Sequence, residues 1–323
     1  MVAEASFASQ DYPGLEEIIT EFLHGKTERV DHAVLAVAGP VMEGVAQLTN
    51  LPWVVAEDSL KRALSLSSVH LINDLLALAQ AIPYLPPDAL HTLQYGSPAP
   101  GAPLAVLAPG TGLGEAFSLW DGTRYVAHPS EGGHADFSPA DQLQLELLKW
   151  LFTRMPHVSF ECVCSGRGLP RIYEFLRQQA AEPEASALAA RIAEAQDSTP
   201  VIMEAALAHS APSPLCAATL ELFSAILAAE AGNAVLRVLA TGGVYLAGGL
   251  PRRMLPVLKR PAFIERFRRK GRLSFLLERV PVHVIVRPNV ALLGAAHYAL
   301  HETAEGEVTF DGEGEALARP PRT

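Results

Sequence analysis

The sequence predicts an α/β protein of two domains. Helical periodicities alternate with short apolar runs, and several of those runs end in glycine-rich turns. The chain has 323 residues, more than the roughly 250–300 that one hydrophobic core ordinarily organises.

From Asp11-Tyr12-Pro13-Gly14 the apolar residues Leu15, Ile18, Ile19, Phe22 and Leu23 recur at spacings of three and four, which predicts an amphipathic helix ending near Gly25. His32 to Ala38 is almost uninterrupted apolar, the pattern of a strand buried on both faces. Residues 45–50 read as a second short strand, residues 58–66 as a helix, and Val69 to Ile72 as a strand leading into a helix that runs to about Ile82. The Pro-, Gly- and Ala-rich passage from Pro83 to Pro103 reads as a domain junction. Leu104 to Ala108 is a strand, and residues 117–126 form a hairpin about Asp121-Gly122. Residues 140–240 are mainly helical, ending in a helix from about Ala217 to Leu239. A strand between Gly242-Gly243 and Gly248-Gly249, another from Val280 to Val286 and a helix opening at Ala291 complete the pattern.

Net charge is −10, so no overall electrostatic attraction to nucleic acid or an anionic membrane is expected. The first residues lack a basic and then apolar leader, and Glu221 and Glu230 interrupt the most apolar later stretch, so a cytoplasmic protein is expected. Cys162, Cys164 and Cys216 give no disulfide framework. The spacing of Cys162 and Cys164 is too short for a zinc knuckle, and both read as buried strand residues. Nine Lys or Arg residues between Arg252 and Arg272 read as a solvated helix face or as an anion-binding surface.

Four motifs can carry chemistry. Asn73-Asp74 lies at a strand-to-helix junction, where it is either a helix cap or a ligand site. Gly110-Thr111-Gly112-Leu113-Gly114 follows an apolar strand. It is a hairpin turn or a loop whose N–H groups close on an anion, and it is neither a Walker A sequence nor a dinucleotide fingerprint. Glu131-Gly132-Gly133-His134 sets a carboxylate and an imidazole three residues apart, suited to hydrogen bonding a polyol. Gly242 to Gly249 either packs a strand tightly against a helix or admits a flat ligand.

Taken in order, with Glu161 before Ser165-Gly166 and the ending Leu292-Leu293-Gly294, these motifs resemble the bacterial glucokinase family of the hexokinase and actin-like superfamily. The resemblance spans about Asp11 to His301 and includes Leu48-Thr49-Asn50 with Trp53. The Cys-rich zinc motif of ROK-type sugar kinases is lacking, which points to the non-ROK group. The resemblance implies an actin-like, ribonuclease H-like fold with a central cleft. It implies a small domain of residues 1–84 plus 287–303, a large domain of residues 85–286, and a disordered tail at residues 304–323.

It also implies ATP-dependent phosphorylation of the 6-hydroxyl of glucose. Asp74 would be the base, Asn73 would hold the sugar with it, and Glu131, His134 and Glu161 would bind further hydroxyls. Gly110, Thr111, Gly112, Leu113 and Gly114 correspond to a phosphate loop, and Gly242, Gly243, Gly248 and Gly249 to an adenosine-contacting segment. Mg2+ would travel with ATP, and a homodimer is implied. Family members begin with a loop of the form Asp-x-Gly-Gly-Thr-Asn, and this chain starts downstream of it. An incomplete gene start accounts for that best, ahead of a sugar-binding or regulatory protein without turnover and of a complex in which another chain supplies the strands. The small-domain sheet would then carry an exposed edge.

Overall fold

The computed structural model describes residues 2–27, 29–48, 51–180 and 184–305, so Thr49, Asn50 and the tail from residue 306 lie outside the described residues. The chain divides into two compact units, one running to Tyr84 and resuming at Asn289, the other spanning Leu85–Pro288.

The first unit holds β1 (His32–Val37), β2 (Val41–Met42), β3 (Val45–Gln47), β4 (Val54–Ala56) and β5 (Ser68–Asn73). β1 and β5 pair in parallel, with His32 opposite Ser68 and Val37 opposite Asn73. β2, β3 and β4 form a separate antiparallel sheet. The first helix runs Leu15–Leu23 and the chain turns at Gly25, whose φ of 73° suits glycine. β1 departs from the pattern expected of it: only Val37 is buried, and residues 33–36 are half-buried. An apolar run marks a fully buried strand only when both faces and both edges are covered, and among the described strands β1 pairs with β5 alone. The Glu57 carboxylate accepts the Leu71 N–H at 2.6 Å, satisfying a β5 donor from the helix Glu57–Ala63.

The helix Asp74–Ala81 packs against the helix Val290–Glu305. Gly294 is what permits that approach, because a Cβ there would fall 1.6 Å from the Ala77 carbonyl oxygen. Tyr84 and His297 stack beside it, with ring centroids 3.6 Å apart.

The second unit is built on one sheet of β6 (Leu90–Gln94), β7 (Leu104–Pro109), β8 (Leu113–Trp120), β9 (Tyr125–Ser130), β10 (Gly243–Leu246) and β11 (Val282–Ile285), in the order β6-β11-β10-β7-β8-β9. β10 is parallel to both β7 and β11, and the other pairs are antiparallel. β6 falls inside the Pro-rich passage read as a junction, which its weakly apolar Leu-His-Thr-Leu-Gln sequence conceals. The helix Pro214–Val238 runs through the core beside Gly168–Gln179 and Thr199–Ala206. Its start is fixed by Ser213, whose hydroxyl accepts the Cys216 N–H at 3.1 Å, and by Pro214 at the first turn.

That helix corrects one expectation. By length and composition it would suffice to cross a bilayer despite Glu221 and Glu230, and burial inside the unit is what accounts for its apolar sequence. The cysteine expectation is also corrected: Cys162 and Cys164 lie in the turn before Gly168–Gln179, not in strands, and Cys162 is only half-buried. The basic segment is partly internal. Arg266 bonds Asp141 and Arg268 Nε donates to Gln94 Oε1 at 2.6 Å, both part-buried, while Arg260 pairs with Glu221 at 2.6 Å on the surface.

Candidate active site

In the first unit the strand β5 delivers Asn73 and Asp74 to a helix start, and the cap is real. Asn73 Oδ1 accepts the N–H groups of Leu75 at 2.9 Å and Leu76 at 3.3 Å, while Asn73 Nδ2 donates to the Gly39 carbonyl at 3.1 Å. An amide has two donor hydrogens and two acceptor lone pairs, so one N–H of Asn73 is left for a ligand. Asp74 is half-buried and accepts the Leu75 N–H at 2.9 Å. Burial pushes its carboxyl above the ordinary aspartate range, and the backbone hydrogen bonds oppose that only in part. A raised carboxyl pKa is what a proton acceptor for a hydroxyl requires.

In the second unit the glycine motif is indeed a hairpin, joining β7 to β8 through Gly110, Thr111 and Gly112. Gly110 N–H donates to the Gly112 carbonyl at 2.8 Å, and Gly110 accepts from Gly166 N–H at 2.7 Å. Glu161 is drawn to this turn: its Oε2 accepts the Leu113 N–H at 2.9 Å, and a Cβ on Gly112 would sit 2.3 Å from that oxygen. Glu161 N–H in turn donates to the Gly133 carbonyl at 2.8 Å. The structure therefore brings together the hairpin, Glu161 and the turn bearing Glu131 and His134. Glu131 and His134 themselves are exposed, with Nε2 and Oε2 3.9 Å apart.

Gly110 and Thr111 also line a cavity of about 680 Å³ together with Gly166, Arg167, Gln196, Asp197, Ser198, Thr199, Gly249 and Arg253. Its wall is fixed by Thr199, whose hydroxyl donates to the Gly166 carbonyl at 2.7 Å and whose N–H donates to Asp197 at 2.9 Å. Backbone glycines, a hydroxyl and two guanidinium groups around one space can take a phosphorylated ligand.

The two glycine pairs around β10 are not equivalent. Gly248 and Gly249 follow its carboxyl end, where ligands collect in open α/β sheets, and Gly249 lines the cavity. Gly242 and Gly243 lie at its start, where a Cβ on Gly242 would fall 2.4 Å from the Ala102 carbonyl oxygen. Close backbone packing explains Gly242, and a φ of 145° explains Gly243. Arg167 and residues 196–200 carry no motif in the sequence, and Ser165-Gly166 beside Arg167 was the signal available for them; Arg253 belongs to the basic segment whose alternative reading was an anion-binding surface.

Comparison with known proteins places these features in a family. A family model for glucokinase matches residues 1–302. A glucokinase from Nostoc punctiforme is 39% identical over 306 residues, covering 91% of this chain and 90% of the relative. The crystal structure of a glucokinase from an Antarctic psychrotroph superposes with a TM-score of 0.73 at 32% identity, covering 91% of this chain and 88% of the other. A glucokinase from Balamuthia mandrillaris, solved in complex with glucose, shares the fold with a TM-score of 0.69 at 20% identity, covering 88% of this chain and 81% of the other. The chain has the hexokinase and actin-like fold, and it belongs to the glucokinase family.

Proposed function

We propose that this chain transfers the γ-phosphoryl group of ATP to the 6-hydroxyl of glucose, giving glucose 6-phosphate and ADP, the first step of glycolysis. Membership of the glucokinase family with the Asn73-Asp74 junction intact is the observation that carries this reading. Asp74 accepts the proton of the 6-hydroxyl as that oxygen attacks. Its raised pKa favours proton capture. Asn73 orients the sugar through its uncommitted amide N–H, and Glu131, His134 and Glu161 bond the remaining hydroxyls. A sugar with a mismatched hydroxyl leaves those groups unpaired, which supplies specificity.

The Gly110–Gly114 hairpin and Gly248-Gly249 take the nucleotide, with Arg167 and Arg253 as cationic partners for its phosphates in the cavity they line. Phosphoryl transfer depends on positioning and charge neutralisation, which backbone donors and guanidinium groups provide. Mg2+ would be carried on the phosphates of ATP, where it neutralises charge. The family resemblance further supports a homodimer working in the cytoplasm.

The test is glucose-dependent ADP formation by the purified chain beside Asp74→Ala. Loss of a general base lowers the rate by about 10²–10⁴-fold, so Asp74→Ala should bind glucose and barely turn over. Undiminished turnover by that variant overturns the assignment of the base.

A further inference from the structure

Glu115 and Glu230 are deeply buried carboxylates that none of the sugar or nucleotide roles uses. Glu115 lies on β8 directly after the glycine hairpin, and Glu230 comes from the helix Pro214–Val238. Both meet one guanidinium: Arg237 Nη1 donates to Glu115 Oε2 at 3.2 Å and also to Glu230 Oε1. Glu230 Oε2 accepts Asn233 Nδ2 at 2.8 Å. Asn233 Oδ1 accepts Lys270 Nζ at 2.5 Å, and Lys270 also donates to the Ala229 carbonyl at 2.8 Å.

One atom is left over. Glu115 Oε1 is buried and has no hydrogen-bond partner among the described residues. An orphaned buried carboxylate oxygen is costly, and a proton on it would make it a donor toward Glu230. Burial first, then the charge of Glu230, pushes the Glu115 carboxyl up to about 8, against the opposing pull of Arg237. The same burial shifts the surrounding titratable groups. Burial and both glutamates raise the Cys164 thiol, and burial lowers Lys270 to about 8, with Arg237 and Arg266 adding to that and Glu230 opposing it.

This cluster touches the candidate sugar turn. Glu115 sits opposite Ser130 across β8 and β9, and the Ser130 hydroxyl accepts the Gly132 N–H at 3.0 Å. A Cβ on Gly132 would fall 2.1 Å from Glu115 Oε2, so the carboxyl group is the floor on which Gly132 rests. Glu131 precedes that glycine and His134 ends the same turn.

We propose that Glu115 and Glu230 share one proton beneath Gly132 and that Glu115 is a positioning residue for the Glu131–His134 turn, so that losing the proton weakens glucose binding without slowing the saturated enzyme. The inference rests on the reading of Glu131 and His134 as sugar contacts. Removing the proton leaves two carboxylates against one guanidinium, and their repulsion drives Glu115 toward the glycine above it.

Glucose KM and kcat measured from about pH 6.5 to about pH 9.5 decide the matter. In the unaltered chain KM should rise roughly three- to tenfold above about pH 8, the scale on which small misplacements of a binding group act, while kcat follows no matching ionisation. Glu115→Gln, which keeps a neutral donor in place, should hold KM flat across the range, and Glu230→Gln, which leaves a single carboxylate for Arg237, should do the same. Difference infrared spectroscopy should find a protonated-carboxyl stretch in the unaltered chain that Glu115→Gln lacks. An alkaline limb that survives in both Gln variants, one that appears in kcat instead of KM, or the absence of that stretch overturns the proposal. So does failure of Glu115→Gln to fold at neutral pH, since the amide stands in for the protonated acid. If instead His134→Ala and Glu131→Gln bind glucose normally in calorimetry while the infrared band is present, the sugar roles fail and the shared proton survives.

Discussion

The candidate base and the candidate sugar turn rest on unequal foundations. Asp74 stands at the end of a two-stranded parallel sheet whose β1 is half-exposed, with a modest core around Leu60, Leu71 and Val55. Glu161 and the glycine hairpin stand on a six-stranded sheet over a large continuous core, and backbone hydrogen bonds from Gly110, Gly166 and Glu161 fix their turns several times over. Where a position is held by many bonds, losing one shifts it slightly; where it is held by two or three contacts, losing one shifts it far. The first unit should therefore answer single substitutions sharply and the second in gradations.

Gly294→Ala puts the sharp side to the test. The added methyl would have to clear a carbonyl oxygen 1.6 Å away on the helix that begins with Asp74, and both are backbone positions with little room to yield. Overpacking of this kind costs about 1–3 kcal/mol and at times more. We expect a lowered thermal midpoint and a fall in kcat larger than any change in ATP KM. A variant with the midpoint and kcat of the unaltered chain would mean the two helices are not as tightly coupled as their packing indicates.

Glu161→Ala measures the graded side. It strips the Leu113 N–H of its acceptor, a loss of about 1–3 kcal/mol for a part-buried donor, while the bonds at Gly110 and Gly166 remain. Because Glu161 holds the hairpin and is assigned to the sugar, KM should rise for both glucose and ATP, with kcat changed less. A rise confined to glucose would separate the hairpin from the sugar role.

A paired substitution sharpens the comparison within β10. Gly242→Ala meets the Ala102 carbonyl at 2.4 Å and should lower stability with ATP KM unchanged. Gly249→Ala meets nothing within 4 Å and should leave stability alone while raising ATP KM a few-fold, since its methyl enters the cavity. The reverse pattern would place the nucleotide at the start of the strand.

Most of the frame was legible in the sequence because apolar runs and helical spacing report burial directly. Leu104 to Ala108, the hairpin about Asp121-Gly122 and the helix after Asn73 stand where those patterns put them. β6 escaped, since an edge strand with His91 and Thr92 alternates too weakly to stand out among prolines. Of the site, the contiguous motifs were legible and the cavity wall was not. Arg167, Asp197 and Arg253 meet only through the fold, and spacing carries no trace of such convergence. Glu230 was visible as a charge in an apolar helix. Nothing in the sequence connected it to Glu115, more than a hundred residues earlier on β8.

The smallest expected effect bears on why Asp74 is placed where its ionised form is disfavoured. Its folded pKa is raised, so the folded state holds the proton more tightly than the unfolded chain does. The stability contributed by that proton is fully present below the unfolded value of 3.8 and is lost as pH rises through the folded value. Once pH has risen past the folded value the unaltered chain carries a half-buried charge that Asp74→Asn does not, and Asn73 keeps the helix cap in both. Asp74→Asn should raise the thermal midpoint slightly on the alkaline side of that value, by on the order of a few °C, and the gain should vanish on acidification. A gain that persists at low pH would point to packing rather than charge. A loss at neutral pH would mean that the hydrogen bond from Leu75 outweighs burial, and that Asp74 is held for structure rather than kept in readiness for a proton.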